Sequence, residues 1–295
     1  MALWRRARFR PRPVAMITAR LFGRLGNQMF QFAAAHALAR RVGTLAALDP
    51  REVLARGEGV LTDVFDLPVV APGHLPPPRG ARLRYLAWRR LGLAPRFRRE
   101  RGLGYNPAFE TWGDGSYLHG YWQSERYFAE VAEETRAAFR FPEPSAPEVA
   151  EVAARIAAGP AVSLHVRRGD YVALAAHALC DPAYYAAALE RLLPTLDTPP
   201  TVYVFSDDPA WARDNLPLPV DRVVVDFGGR VPDFEDMRLM ALCDHHIIAN
   251  SSFSWWGAWL NPSATKQVFA PARWFGNPKL SNPDILPPGW TRVAP

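Results

Sequence analysis

From about residue 161 onward, short apolar runs of strand length alternate with helical segments, and this alternation restricts the fold more than any other feature of the chain. Strand–helix–strand units of this kind build a parallel sheet covered on both faces. Residues 161–166 read as a buried strand, followed by strands at 201–205, 223–225 and 245–249. Asp181-Pro182 begins a helix, with the acid as cap and the proline in the first turn. Its apolar stripe is Tyr185, Leu189, Leu192 and Leu193. Asp208-Pro209 repeats the device, and residues 233–242 form another helix. Ser145 and Glu148 have the spacing of a capping box for the helix running to residue 158.

The amino-terminal half opens in the same style. Residues 14–22 are strand-like, Gly23-Arg24-Leu25-Gly26-Asn27-Gln28 turns the chain, and a helix rich in Ala, Phe and Leu follows to about Val42. Residues 66–104 read as irregular, and Ser124 as the cap of a helix reaching Phe139. Residues 141–147, with three prolines, read as a linker. The expectation is an α/β chain of two Rossmann-like domains, 14–143 and 144–295. The 295 residues suffice for two cores.

Composition narrows the function. The net charge is +6, yet Lys266 and Lys279 are the only lysines. An arginine-dominated balance fits compositional drift as well as a phosphate-bearing substrate. Residues 79–101 carry nine arginines with Leu83, Leu86, Trp88, Leu91 and Leu93 interleaved. They read as a solvated helix face or as a basic amphipathic contact with anionic membrane. No nucleic-acid motif is visible, so nucleic acid is not an expected partner. Two cysteines, Cys180 and Cys243, make neither a disulfide framework nor a zinc pattern. No apolar run approaches a bilayer span of about 20 residues. The expected location is the cytoplasm, peripheral at the inner membrane through 79–101, and Met16 is an alternative start to Met1.

Four constellations carry chemistry. His165-Val166-Arg167-Arg168-Gly169-Asp170 lies at a strand's carboxyl end, where open α/β sheets bind ligands. Two forked guanidiniums suit a diphosphate. Side chains alternate along extended backbone, so Arg167 shares a face with His165, while Arg168 faces the structure and pairs with Asp170. The Gly23–Gln28 turn places backbone N–H groups at a helix start, suited to an anion or merely to a tight turn. Asp236, with Asp244 and Asn250-Ser251-Ser252-Phe253-Ser254, offers a carboxylate for the guanine N1 and N2 donors and hydroxyls for phosphate. Asp236 could equally cap its own helix from three residues after Asp233, and the serines could be caps. Ser206-Asp207-Asp208 resembles an acidic metal motif, but Asp208 precedes Pro209 and reads as a cap. No histidine spacing suggests a metal.

These blocks resemble those of a known family. His165-Val-Arg-Arg-Gly-Asp is similar to the HxRRxD motif of α-1,2- and α-1,6-fucosyltransferases. Gly23-Arg-Leu-Gly-Asn-Gln-Met-Phe-Gln, Gly120-Tyr-Trp-Gln and Ser251-Ser-Phe-Ser-Trp-Trp-Gly-Ala-Trp-Leu resemble blocks of glycosyltransferase family 11. The resemblance implies a GT-B-like pair of Rossmann domains with a cleft between them. It implies a bacterial-type galactoside α-1,2-fucosyltransferase that works without a metal or cofactor and inverts GDP-β-L-fucose. Arg167 would meet the pyrophosphate. Gly26, Asn27, Gln28, His165, Arg168, Ser206, Asp207, Asp236, Asn250, Ser251, Ser252, Phe253 and Ser254 would complete the donor site. Tyr121, Trp122 and Gln123 would meet a galactose-containing acceptor. Related α-1,6 enzymes carry a glutamate shortly after HxRRxD; residues 171–177 hold no acid, leaving Asp170 and Asp181 as candidate bases. The competing readings are another linkage such as α-1,6, another GDP-sugar transferase, a sugar-binding protein stacking its ligand on Trp112, Tyr121 and Trp122, and a nicotinamide oxidoreductase, disfavoured by the missing dinucleotide fingerprint.

Overall fold

The computed structural model of the chain describes residues 16–72, 75–77, 81–90, 96–168, 180–277 and 279–294. Two parallel sheets dominate it. The first contains β1 (Met16–Arg20), β2 (Leu45–Asp49), β3 (Val69–Val70), β4 (Phe97–Arg99) and β5 (Tyr117–His119), in the order β3-β2-β1-β5-β4. The second contains β6 (Ala161–Val166), β7 (Thr201–Ser206), β8 (Arg222–Val224), β9 (His245–Ile247), β10 (Val268–Pro271) and β11 (Thr291–Val293), in the order β11-β10-β9-β6-β7-β8. β6 is buried along its whole length, as expected of a central parallel strand.

The helices are α1 (Leu25–Val42), α2 (Arg51–Leu54), α3 (Arg82–Arg90), α4 (Ala132–Ala138), α5 (Pro147–Ala157), α6 (Pro182–Leu192), α7 (Pro209–Asn215), α8 (Phe234–Leu242) and α9 (Ser252–Leu260). Asp181 and Asp208 cap α6 and α7, accepting from the Tyr184 and Trp211 amides at 2.9 and 3.0 Å. The other expected caps shift. Ala146, not Ser145, stands at the start of α5, and the Ser145 amide donates instead to Glu235 at 2.8 Å. Ser124 caps a single 3-10 turn, Glu125–Tyr127, so the continuous helix expected up to Phe139 shrinks to α4. The stretch 66–104, expected to be irregular, supplies β3, α3 and β4.

α1 is buried nearly all round from Gln28 to Ala39, with Gln31 and His36 covered among the apolar residues, so this stretch has no solvent face. One side covers the first sheet. The other meets α9, whose Trp255 and Trp256 rings lie 4.5 and 4.9 Å from Phe30. Trp256 also packs on Phe128 and Phe139. A helix that follows a strand of the second sheet is thereby inserted into the apolar cluster of the first. Under β9, Ser163, His246 and Asn261 form a buried chain with links of 2.8 and 3.0 Å. Burial pulls His246 down to about 3, so this serine–histidine–asparagine series is a neutral core network.

Candidate active site

In each sheet the strand order reverses direction beside the first strand. β1 lies between β2 and β5, and β6 between β7 and β9. Crevices open beyond the carboxyl ends at such switch points. A cleft of about 640 Å³ occupies this position, with walls drawn from both halves of the chain.

From the second sheet come His165 and Arg167 after β6, Ser206 and Asp207 after β7, and Ser251, Ser252 and Phe253 at the start of α9. Arg167 holds Asp207 at 3.1 Å and stays largely covered. Arg168 points elsewhere: its guanidinium lies 3.8 Å over the Trp211 ring and 3.6 Å from Asp208. The partner expected for Arg168, Asp170, lies outside the described residues, as do residues 171–177. His165 is buried against Phe253, and burial beside the Arg167 charge brings it down to about 3. It is therefore a neutral imidazole at physiological pH.

From the first half come Gly23, Arg24, Leu25, Gly26 and Asn27. A Cβ at Gly26 would lie 2.7 Å from the Ser252 carbonyl carbon, so this glycine is what lets the starts of α1 and α9 touch. Trp256 fastens the contact, donating from Nε1 to the Gly26 carbonyl at 2.9 Å. Two helix amino termini, with their positive dipole ends, thus converge on one cleft.

Asp236 lines the cleft from the first turn of α8. Its position does not serve as a cap, since the helix begins at Asp233 without a side-chain cap bond. Desolvation, with Asp233, Asp226 and Glu235 nearby, pushes its carboxyl up to about 7.

Several residues expected at the site stand outside it. Gln28 is buried, donating to the Gly23 and Gly59 carbonyls and accepting from the Leu61 amide. Gln123 donates to Asn27 at 2.8 Å and accepts from Asn282 through its carbonyl, a tie between segments. Trp122 is fully buried in a cluster with Phe109, Trp112 and Tyr127. Asn250 donates to the Trp274 carbonyl, and the buried Ser254 hydroxyl bonds within its own turn. Asp181 is the cap of α6 and does not line the cleft. Conversely, the loop after α2 brings Glu58, Gly59, Val60, Asp63 and Val64 to the cleft wall. Glu58 has a buried carboxylate oxygen without a hydrogen-bond partner, whereas Asp63 accepts from the Val60 amide at 2.9 Å. No motif marks this loop; two glycines around one acid, Gly57-Glu58-Gly59, are its only local sign.

Two facing parallel α/β units with the cleft at their carboxyl edges define a GT-B-like glycosyltransferase architecture. A crystal structure of fucosyltransferase NodZ from Bradyrhizobium shares this fold, with a TM-score of 0.51 at 16% identity over 83% of this chain and 92% of that one. Residues 109–294 match the profile of Glycosyl transferase family 11, and the chain belongs to that family. An α-1,2-colitosyltransferase of Escherichia coli is 38% identical over 59% of this chain and 61% of its own length. A galactoside α-(1,2)-fucosyltransferase 1 of Alouatta caraya is 28% identical over 81% of this chain and 63% of its own. The chain thus spans less than two thirds of either relative.

Proposed function

We propose that the chain transfers L-fucose, or the related sugar colitose, from its GDP ester to the 2-hydroxyl of a galactoside, forming an α-1,2 linkage with inversion and without a metal. The observation that carries this is the convergence of Arg167 and two helix amino termini on one cleft that also holds Asp236. The first group suits a diphosphate; a desolvated carboxylate suits the N1 and N2 donors of guanine.

The acceptor oxygen attacks the anomeric carbon from the face opposite the diphosphate, and its hydroxyl proton passes to solvent. The bond from that carbon to the diphosphate oxygen breaks through an oxocarbenium-like state, as in glycoside hydrolysis. Negative charge then grows on departing GDP, and Arg167 with the α1 and α9 amides meets it. A preorganised donor of this kind contributes about 3 to 4 kcal/mol. Among the described residues, no group of three or more His, Cys, Asp or Glu is placed to hold a metal ion. Asp207 is held by Arg167, so the guanidinium is preoriented before donor arrives.

Colitose is fucose without its 3-hydroxyl, so the two donors differ by one polar group. The fucose reading has the wider coverage of this chain, 81% against 59%, and the colitose reading the higher identity, 38% against 28%. Turnover of GDP-fucose and GDP-colitose, measured separately by GDP release against a β-galactoside array with and without EDTA, decides between them. NMR of the product reads the linkage. Equal use of UDP-sugars, or an absolute need for manganese, would sink the proposal. Absence of GDP release with every acceptor would favour a sugar-binding protein, a reading already weakened because Trp112 and Trp122 are buried at 8% and 0% exposure.

The same reading includes a peripheral contact with anionic lipid. α3 exposes Leu83 at 84% and Leu86 at 43%, flanked by exposed Arg82, Arg84 and Arg90, while Tyr85 and Trp88 pack inward on Phe97. Among the described residues, no helix is long and apolar enough to cross a membrane.

A further inference from the structure

A hydroxyl that forms a glycosidic bond must give up its proton, and a base within reach of it accelerates the step about 100 to 10,000-fold. Among the described residues, the cleft offers Glu58, Asp63, Asp207, Asp233, Asp236 and the His165 imidazole. Asp207 holds Arg167 and accepts from the Arg168 amide at 2.8 Å. Asp63 accepts from the Val60 amide. Asp233 and Asp236 stand at the start of α8, where the reading above places guanine. His165, brought down to about 3 by burial beside the Arg167 charge, holds a proton too weakly for the task.

Glu58 differs from all of these. One of its carboxylate oxygens is covered yet accepts no hydrogen bond, and an empty buried acceptor costs free energy. Looseness of the loop does not explain it, because the backbone there is tied down. The Glu58 amide donates to the Val53 carbonyl at 3.2 Å. Gln28 donates to the Gly59 carbonyl at 2.9 Å and accepts from the Leu61 amide at 3.0 Å. The same Gln28 nitrogen donates to the Gly23 carbonyl at 2.9 Å. One side chain thus fastens the Glu58 loop beside the turn that opens α1, where the starts of α1 and α9 meet. A sugar esterified to a diphosphate at those helix starts has its anomeric carbon close by. Arg167 comes from the second half of the chain and Glu58 from the first, so leaving group and base sit on different walls. Inversion requires that separation, since the hydroxyl attacks from the face opposite the departing group.

We propose that Glu58 is the catalytic base of this cleft, a role that rests on the transferase reading above. An oxygen lone pair of the acceptor forms the new bond to the anomeric carbon, and the O–H electrons stay on that oxygen. The proton moves to a Glu58 carboxylate oxygen, and the electron pair of the broken carbon–oxygen bond leaves with GDP. Glu58 then passes the proton to solvent and is a carboxylate again. Glu58→Gln keeps the shape and an accepting oxygen but cannot take a proton, so it separates proton transfer from simple hydroxyl binding. The assay uses the full chain, lactose, and whichever of GDP-fucose and GDP-colitose the wild type turns over. In Glu58→Gln kcat should fall about 100-fold or more. KM for the donor and GDP affinity by calorimetry should stay within about twofold of wild type. Without substrates the variant should melt at or above wild type, because a covered, unpartnered carboxylate has been removed. Glu58→Asp, a carboxylate on a shorter arm, should be at least about tenfold faster than Glu58→Gln. If Glu58→Gln does not fold, Glu58→Ala takes its place with the same loss of kcat expected. Near-wild-type kcat in the variant overturns the assignment. So does a loss confined to KM for lactose, which would make Glu58 a hydroxyl-binding group, and so does an aspartate no faster than the glutamine, which would point to packing. Wild type that turns over neither donor fails the transferase reading itself, whereas equal turnover by wild type and variant fails only the base.

Discussion

At the scale of single residues, the adjacent arginines do different work because backbone alternation sends them to opposite faces. Arg167 lines the cleft; Arg168 covers Trp211. Arg167→Lys keeps the charge but loses the fork, and turnover should fall about 100-fold or more in a protein that melts normally. Arg168→Lys should cost about 0.5 to 1 kcal/mol of stability from the lost ring contact, read in a urea melt, with near-normal turnover. The opposite pattern would mean that the faces are reversed. Asp236 gives a pH prediction. Its carboxyl titrates near 7 in the free protein, well above the ordinary range, so GDP must find it ionised or expel its proton. GDP affinity should therefore rise with pH and level off above about 7, and Asp236→Asn should bind weakly and flatten that profile. The stability effect has the opposite sense. A carboxyl raised by folding binds its proton more tightly in the native state, so stability falls as pH climbs from about 4 to about 7. Asp236→Asn without ligand should then melt higher than wild type at pH 8, with the difference vanishing near pH 4. An unchanged GDP profile would remove Asp236 from guanine recognition.

At the scale of elements, the decisive contact is between the starts of α1 and α9. Gly26 lies 2.7 Å from backbone of Ser252 through its virtual Cβ, and backbone cannot step aside as a flexible side chain can. Gly26→Ala should cost about 1 to 3 kcal/mol and weaken GDP binding in the same protein, because it separates the two helix termini that make the anion site. A destabilised variant with unchanged GDP affinity would show that the two termini act independently. α3 makes a prediction of another kind. Leu83→Glu with Leu86→Glu should abolish sedimentation with phosphatidylglycerol vesicles and leave GDP binding intact, and binding of the wild type should fall with added salt. Equal sedimentation with phosphatidylcholine vesicles would rule out the charge-based contact.

At the scale of the whole molecule, Trp255 and Trp256 tie the second sheet to the first by packing on α1, Phe128 and Phe139. A domain boundary near residue 144 is proposed here as a boundary in the chain and not in cooperativity. The intact protein should show one calorimetric transition, whereas a 144–295 fragment, exposing those rings, should melt broadly or aggregate. Two separate transitions would contradict that coupling. The linear sequence alone determined the parallel α/β architecture, the caps at Asp181 and Asp208, the placement of Arg167 toward the cleft and the family blocks. Each of these follows from a local rule, namely the period of a strand or helix, the chemistry of a first turn, or a short motif. The tertiary structure decided which motif residues are buried. Trp122, Gln28 and Gln123 look like site residues in a string of letters, yet they bind the loops together. Only the tertiary structure set Glu58 in the cleft wall and gathered Glu52, Glu100 and Tyr121 around one cavity. Those approaches join residues from separate strand ends. Periodicity reports which way a side chain leaves its own backbone, but not which distant segment it will meet.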